Sequence, residues 1–278
     1  MPNGVFQYLH LDHVSTSKII SDDRIDHVLF TGSVSGGRQV KKAIGERFIN
    51  AGLELGGKDP MIILEDADLN RSVEAALWGG LSNTGQTCIS IERIYAQQTI
   101  YPQIVAKLSE EIKGISSGAG ERCLGSISVN VGMKKILNQI LDARENSDVV
   151  EGNADSGWYI PPTLVVNPPL ESQILKEETF GPVMTIHPFK SNEEAIELAN
   201  KTGYGLSASI FGKNKKQIKF ISRRIHAGVV SINDVLTHYG IADLPFGGMG
   251  FSGIGKVHGR EGLRAFSRQK SFMSNRLQ

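Results

Sequence analysis

Short apolar runs that stop at glycine turns, each followed by an amphipathic helical stretch, limit what this chain can fold into more than any other feature. Val28-Leu29-Phe30 ends at Thr31-Gly32-Ser33, the pattern of a buried strand closing in a tight turn. Behind it Val40, Ile44 and Phe48 recur every four residues with Ala43 beside them, while Arg38, Lys41, Lys42 and Glu46 take the other faces, as an amphipathic helix requires. Leu53-Glu54-Leu55 leads into Gly56-Gly57, and residues 61–64 form another apolar run between Pro60 and Asp66. Strand, helix and strand therefore follow one another. Asp66 and Asp68 read as a turn and a helix cap, the helix carrying Leu69, Val73, Ala76 and Leu77. Further helices are predicted around 104–112, 133–141, 193–200 and 215–225, and further strands at 163–166, 183–186, 206–211 and 229–232. Alternation of this kind builds an α/β fold with a largely parallel sheet.

At 278 residues the chain has length for about two compact units. Its formal net charge of +1 gives no whole-chain electrostatic basis for binding nucleic acid or a membrane surface. Two cysteines, Cys88 and Cys123, build no disulfide framework, and neither lies in a C-x-x-C unit, so a reducing, cytoplasmic setting is expected. The first residues lack the basic and apolar regions of a secretory leader, and no apolar run reaches the ~18 residues that span a bilayer. Seven histidines show no metal-ligand clustering, and no metal is expected.

Cys88 lies in Asn83-Thr84-Gly85-Gln86-Thr87-Cys88-Ile89-Ser90, directly after a predicted helix. A lone cysteine is more often a small buried hydrophobe than a nucleophile. A polar, glycine-containing turn changes that balance, because a nucleophile must be reached by substrate while nearby backbone donates to a developing oxyanion. Cys123 has no comparable setting and reads as structural. Glu54 sits between two leucines at the end of an apolar segment. It reads either as a solvated residue on the opposite strand face or as a partly desolvated carboxylate able to act as a base near neutral pH.

Five motifs in a fixed order resemble the aldehyde dehydrogenase superfamily. They are Phe30-Thr31-Gly32-Ser33 before a helix, Leu53-Glu54-Leu55-Gly56-Gly57-Lys58, Gly85-Gln86-Thr87-Cys88, Glu177-Glu178-Thr179-Phe180-Gly181-Pro182-Val183, and Leu244-Pro245-Phe246-Gly247-Gly248 with Ser252-Gly253 beyond. The resemblance runs from near residue 1 to about residue 272. It implies an NAD(P)-dependent enzyme that oxidises a small-molecule aldehyde to a carboxylic acid. Cys88 then matches the nucleophile that forms a thiohemiacetal and, after hydride transfer, a thioester. Glu54 matches the base that activates water. Gly32 and Ser33 match the turn at a helix N-terminus that receives the pyrophosphate, and Glu178 the carboxylate that binds the nicotinamide ribose. By the same resemblance Phe180 packs near that end of the cofactor, the backbone at Leu55 faces the nicotinamide amide, and Phe246 is a substrate-tunnel aromatic. Phe246 and Phe180 also read as plain core.

Gly248-Met249-Gly250-Phe251-Ser252-Gly253 formally matches G-x-G-x-x-G. Too little chain follows to build a βαβ unit around it, so a closing loop is the better reading. The resemblance also implies a longer subunit. Residues 1–56 are expected to be the last part of a Rossmann-like NAD(P)-binding domain, 57–258 an aldehyde dehydrogenase-like catalytic domain, and 259–278 a tail used in oligomer assembly. The family's Pro-Trp-Asn-like segment, whose asparagine completes the oxyanion hole, and the lysine that contacts the adenosine ribose have no counterpart here. Two functions are thus expected as alternatives. One is an aldehyde dehydrogenase, homo-oligomeric or associated with a missing N-terminal half; the other is a non-catalytic fragment or a structural or regulatory partner of a full-length subunit.

Overall fold

A computed structural model describes residues 2–121 and 123–275. Residue 1 and residues 276–278, the outer ends of the first and last expected units, lie outside the described residues. In chain order the strands are β1 (His27–Thr31), β2 (Asn50–Glu54), β3 (Asp59–Ile63), β4 (Ile91–Gln97), β5 (Ser116–Ser117), β6 (Asp148–Glu151), β7 (Asn153–Ala154), β8 (Thr163–Val166), β9 (Val183–Phe189), β10 (Ser207–Phe211), β11 (Val229–Ile232) and β12 (Gly253–Ile254). The helices are α1 (His13–Ile20), α2 (Val34–Ile44), α3 (Leu69–Leu81), α4 (Tyr101–Gly114), α5 (Asn130–Asn146), α6 (Gln173–Lys176), α7 (Asn192–Asn200), α8 (Lys215–Ser222) and α9 (Gly259–Ala265).

Seven strands form the main sheet in the order β11-β10-β3-β4-β9-β8-β6. Every neighbouring pair is parallel except β6 with β8. A smaller sheet runs β1-β2-β12, with β1 and β2 parallel and β12 antiparallel to β2. β5 and β7 form a two-stranded parallel ribbon. The architecture is the α/β class that the alternation implies.

β3 shows why the apolar runs are unbroken. Met61 and Ile63 face a layer with Val73 and Ala76 of α3 and Ile104 and Leu108 of α4. Ile62 and Leu64 face the opposite layer, with Leu198 of α7 and Ile218 and Ile221 of α8. A strand covered on both sides has no polar face to show in its sequence. Each such aliphatic side chain contributes roughly 1.5–3 kcal/mol on burial, so the centre of the large sheet is where the fold gains most of its apolar stabilisation.

Asp68 caps α3 by accepting a hydrogen bond from the Arg71 amide at 3.0 Å. Asp66 does not cap it. Its carboxylate instead accepts from the amides of Lys213 and Asn214 at 3.1 and 2.7 Å, tying the approach to α3 to the loop before α8. α1, β4 and β6 are absent from the sequence-based reading. The largest miss is β4, a central strand, because Glu92 and Arg93 interrupt its apolar pattern. Both side chains are buried, and the Arg93 guanidinium donates to the carbonyls of Lys58, Leu198 and Ala199 at 2.7, 2.9 and 2.9 Å. Those last two carbonyls close α7, where a cation is favoured by the helix dipole.

Candidate active site

β2 ends at Glu54 and β3 begins at Asp59, so one short turn joins the C-terminal edge of the small sheet to the N-terminal edge of the large one. Gly56 and Gly57 occupy that turn because no side chain fits. A Cβ on Gly56 would lie 2.3 Å from a Glu178 carboxylate oxygen, and one on Gly57 2.3 Å from the Cys88 carbonyl. The Gly-Gly pair is therefore wedged between Glu178 and Cys88, four residues or fewer from Glu54. Residues far apart in sequence converge on this seam.

Cys88 is reached through a strained loop. After α3, Asn83, Thr84 and Gly85 all have positive φ, at 51°, 59° and 68°. Such a run persists only where the surroundings over-determine it. Thr84 Oγ1 donates to the Gly125 carbonyl at 3.2 Å, Asn83 Nδ2 donates to the Gln86 carbonyl at 3.0 Å, and Gln86 Oε1 accepts from the Ser128 backbone amide and hydroxyl, both at 2.8 Å. A Cβ on Gly85 would meet the Gly181 carbonyl oxygen at 2.1 Å, so the Cys88 loop and the loop after Glu178 touch backbone to backbone. Gly85→Ala is expected to lose about 1–3 kcal/mol from backbone strain alone. A urea midpoint equal to wild type, followed by far-ultraviolet circular dichroism, would contradict that.

The electrostatics follow from burial. Glu54 is only 8% exposed, and neither carboxylate oxygen has a hydrogen-bond partner among the described residues. Desolvation raises its pKa to about 7, against the pull of Lys256. The solvated reading of Glu54 is overturned. A pocket of 240 Å³ beside the small sheet is lined by Glu54, Gly52, Leu29, His27 and Phe266 among others. Burial pushes the Cys88 thiol up to about 11, and Asp59, Glu178 and Glu54 push in the same direction, while its own amide opposes them. Glu178 is raised to about 7 by burial and by Glu92, although its Oε1 accepts from the Gly57 amide at 3.1 Å.

The remaining predicted residues are placed as follows. Gly32 donates its amide to the Glu54 carbonyl at 3.1 Å, so the first glycine turn is tied to the end of β2. Ser33 caps α2, its hydroxyl accepting from the Gly36 amide at 3.1 Å. Leu55 is buried and donates its amide to the Ser252 carbonyl at 3.0 Å. Phe180 is 42% exposed, with φ at 56°, so it is not core. Phe246 is buried in a cluster with Ile89, Leu206 and Val229, against which Cys88 packs. Its ring lies stacked over His238 and edge-on to Tyr239. The Gly248–Gly253 segment contains a single 3₁₀ turn followed by β12, not a strand-turn-helix unit. Lys58, Asp59, Glu92 and Lys256 also belong to the site's surroundings. Lys58 closes one of the five motifs, while Asp59, Glu92 and Lys256 are marked in the sequence only as charged residues in or beside an apolar segment.

A half-buried thiol on which three carboxyl groups act, and a serine-capped helix tied through Gly32 to the end of β2, are parts that nucleophilic chemistry with an adjacent base could use on an α/β scaffold. The chain belongs to the aldehyde dehydrogenase family, whose profile matches residues 1–272. It is 37% identical to a 4,4'-diapolycopene aldehyde oxidase of Methylomonas sp over 99% of this chain and 52% of that protein. It is 34% identical to the dimeric NADP-preferring aldehyde dehydrogenase of Rattus norvegicus, over 92% of this chain and 56% of that one. The NAD+ complex of an aldehyde dehydrogenase from Bacillus cereus superposes with a TM-score of 0.86 at 33% identity, covering 91% of this chain and 53% of the other. The chain spans about half the length of the curated relatives it matches.

Proposed function

We propose that this chain carries the catalytic centre of an NAD(P)-dependent aldehyde dehydrogenase, with Cys88 as nucleophile and Glu54 as general base. The observation that carries the reading is the unpartnered Glu54 carboxylate, withheld from bulk water on the same seam as the thiol. A buried carboxylate titrating near neutrality is matched to proton transfer at physiological pH. Cys88 Sγ adds to the aldehyde carbon while its proton passes to Glu54 or water, giving a thiohemiacetal whose oxygen faces the Cys88 amide. When bound, the dinucleotide supplies the hydride acceptor that leaves a thioester on Cys88. Glu54, its first proton released to solvent, then takes a proton from water, the resulting hydroxide adds to the thioester carbonyl, and the carbon–sulfur bond breaks to release the acid, the Glu54 proton passing to the leaving sulfur to restore the thiol.

The residues present fit a dinucleotide. The α2 N-terminus has no acidic side chain in its first turn, so its positive end is available to a phosphate. Ser33 would hold that phosphate, with Gly32 shaping the turn while its amide stays on the Glu54 carbonyl, and Glu178, Phe180 and the backbone at Leu55 would hold the nicotinamide end. Phe246, Ile89, Leu206 and Val229 around Cys88 give the aldehyde an apolar surround, which favours a hydrophobic substrate over a semialdehyde carrying a carboxylate.

A second reading, a non-catalytic partner of a full-length subunit, is favoured by the small sheet. β1 is paired only with β2 among the described residues, and Val5, Phe6, Leu9 and Leu29 are exposed. The discriminating experiment follows nicotinamide reduction with NAD and with NADP across alkyl, aryl and carboxylated aldehydes, with ester hydrolysis measured in parallel. Turnover fastest on apolar aldehydes and lost in Cys88→Ala supports the first reading. Folded wild type that reduces neither cofactor at high concentration supports the second.

A further inference from the structure

We propose that the buried Lys58–Glu92 ion pair is a positioning device that fixes the Glu178–Phe180 turn against Cys88 and Glu54, and so sets the grip on the nicotinamide end of the cofactor. The inference rests on the reading of Glu178 and Phe180 as cofactor contacts. Lys58 and Glu92 are 1% and 2% exposed. Lys58 Nζ pairs with Glu92 Oε2 and donates to Thr179 Oγ1 at 3.0 Å. The Thr179 amide donates to both Glu92 oxygens at 3.0 and 2.8 Å, and the Phe180 amide to Oε1 at 2.9 Å. One carboxylate thus holds two successive amides and an ammonium group whose other bond goes to the same loop.

That arrangement does more than bury charge. A buried ion pair is weak evidence for stability, since apolar residues of similar volume often serve as well; what it supplies here is direction. Phe180 is a non-glycine residue at φ 56°, a conformation that lasts only where its neighbours enforce it. Glu92 enforces it from the far side while the Gly57 amide holds Glu178 from the near side. Lys58 follows Glu54 by four residues and Glu92 follows Cys88 by the same interval. The pair therefore joins the backbone segments of base, nucleophile and cofactor carboxylate at one point. Neither Lys58 nor Glu92 is assigned a chemical step, so each acts through the residues it positions.

Glu92→Gln keeps the side chain's shape and removes its charge. Hydrogen exchange at the Thr179 and Phe180 amides is expected to rise about ten-fold or more, the scale of one charge-assisted hydrogen bond, while amides within β4 and β9 stay protected. NADH dissociation constants, read by fluorescence, are expected to rise about ten-fold in Glu92→Gln and in Glu178→Gln, with the double variant no weaker than Glu178→Gln, as for residues acting through one contact. Lys58→Met, which leaves Glu92 its two amides, provides a milder version if Glu92→Gln does not fold. Unchanged exchange at Thr179 and Phe180, exchange rising equally across β4 and β9, or additive losses in the double variant would overturn the proposal. Wild type that binds no NADH would overturn the cofactor reading instead, leaving the exchange data to decide the clamp.

Discussion

Cys88→Ala is expected to lower aldehyde oxidation by a factor on the order of 10⁴ or more, the scale at which a covalent nucleophile is lost. The substitution removes one atom from a half-buried side chain, so thermal unfolding should stay within a few degrees of wild type, and the kinetic loss can be assigned to the thiol. The surroundings also dictate how that thiol reacts. The charges that act on it are the carboxyls of Asp59, Glu178 and Glu54, and burial adds to their effect, giving a thiol near 11. At pH 7 roughly one molecule in ten thousand then carries a thiolate. In a Cys123→Ser background, iodoacetamide should label Cys88 slowly at pH 7 and about ten-fold faster per pH unit up to about 11. NADH formation by Cys88→Ala at more than a hundredth of the wild-type rate would end the assignment of Cys88 as nucleophile.

That prediction depends on geometry only partly legible in the sequence. The strands at Thr163–Val166 and Val229–Ile232 form where their apolar runs predict, and Asp68 caps α3 as its position before Leu69 implies. Those signals are local: a short apolar run between turn residues, or a side chain three residues from its amide. β4 carried no such signal, because Glu92 and Arg93 look like surface residues until the fold brings Lys58, Thr179, Leu198 and Ala199 to them. α1 has no buried residue, and its amphipathic pattern was correspondingly faint. Cys88 and Glu54 stand out by their local setting and Glu178 by the family resemblance, which also implies that the three meet; nothing in the residues themselves shows that convergence. It depends on Gly56 and Gly57 leaving room for the Glu178 carboxylate and the Cys88 carbonyl, a requirement written in a glycine pair whose neighbours lie about 30 and 120 residues away. Phe246 shows the same limit, since only packing places it in the apolar cluster beside Cys88 rather than elsewhere in the core.

Glu54→Gln is expected to slow steady-state turnover by about 10²–10⁴-fold, the range for loss of a positioned general base, while a first burst of one NADH per active chain persists as thioester accumulates. The wild-type pH profile supplies the second signature. Glu54 titrates near 7 because burial disfavours its ionised form, and only the ionised form can take a proton from water. Deacylation should therefore rise with pH through about 7 and level above it, and the Gln variant should lack that step. Stability should move the opposite way. The folded chain holds the Glu54 proton up to about pH 7, whereas the unfolded chain releases it near the ordinary value of 4.5. Between those values the native state binds more protons, so this residue's contribution to stability falls as pH rises. Glu54→Gln has no charge to bury and should melt at the same temperature as wild type near pH 4.5, but a few degrees higher at pH 8–9. Deacylation within about three-fold of wild type would show that Glu54 is not the base, and a melting difference constant from pH 4.5 to 9 would show that it is not buried as an unpaired carboxylate. Slower turnover together with higher stability above neutrality is what a strained catalytic group produces, and it separates a base from a carboxylate that only holds the end of β2 in place.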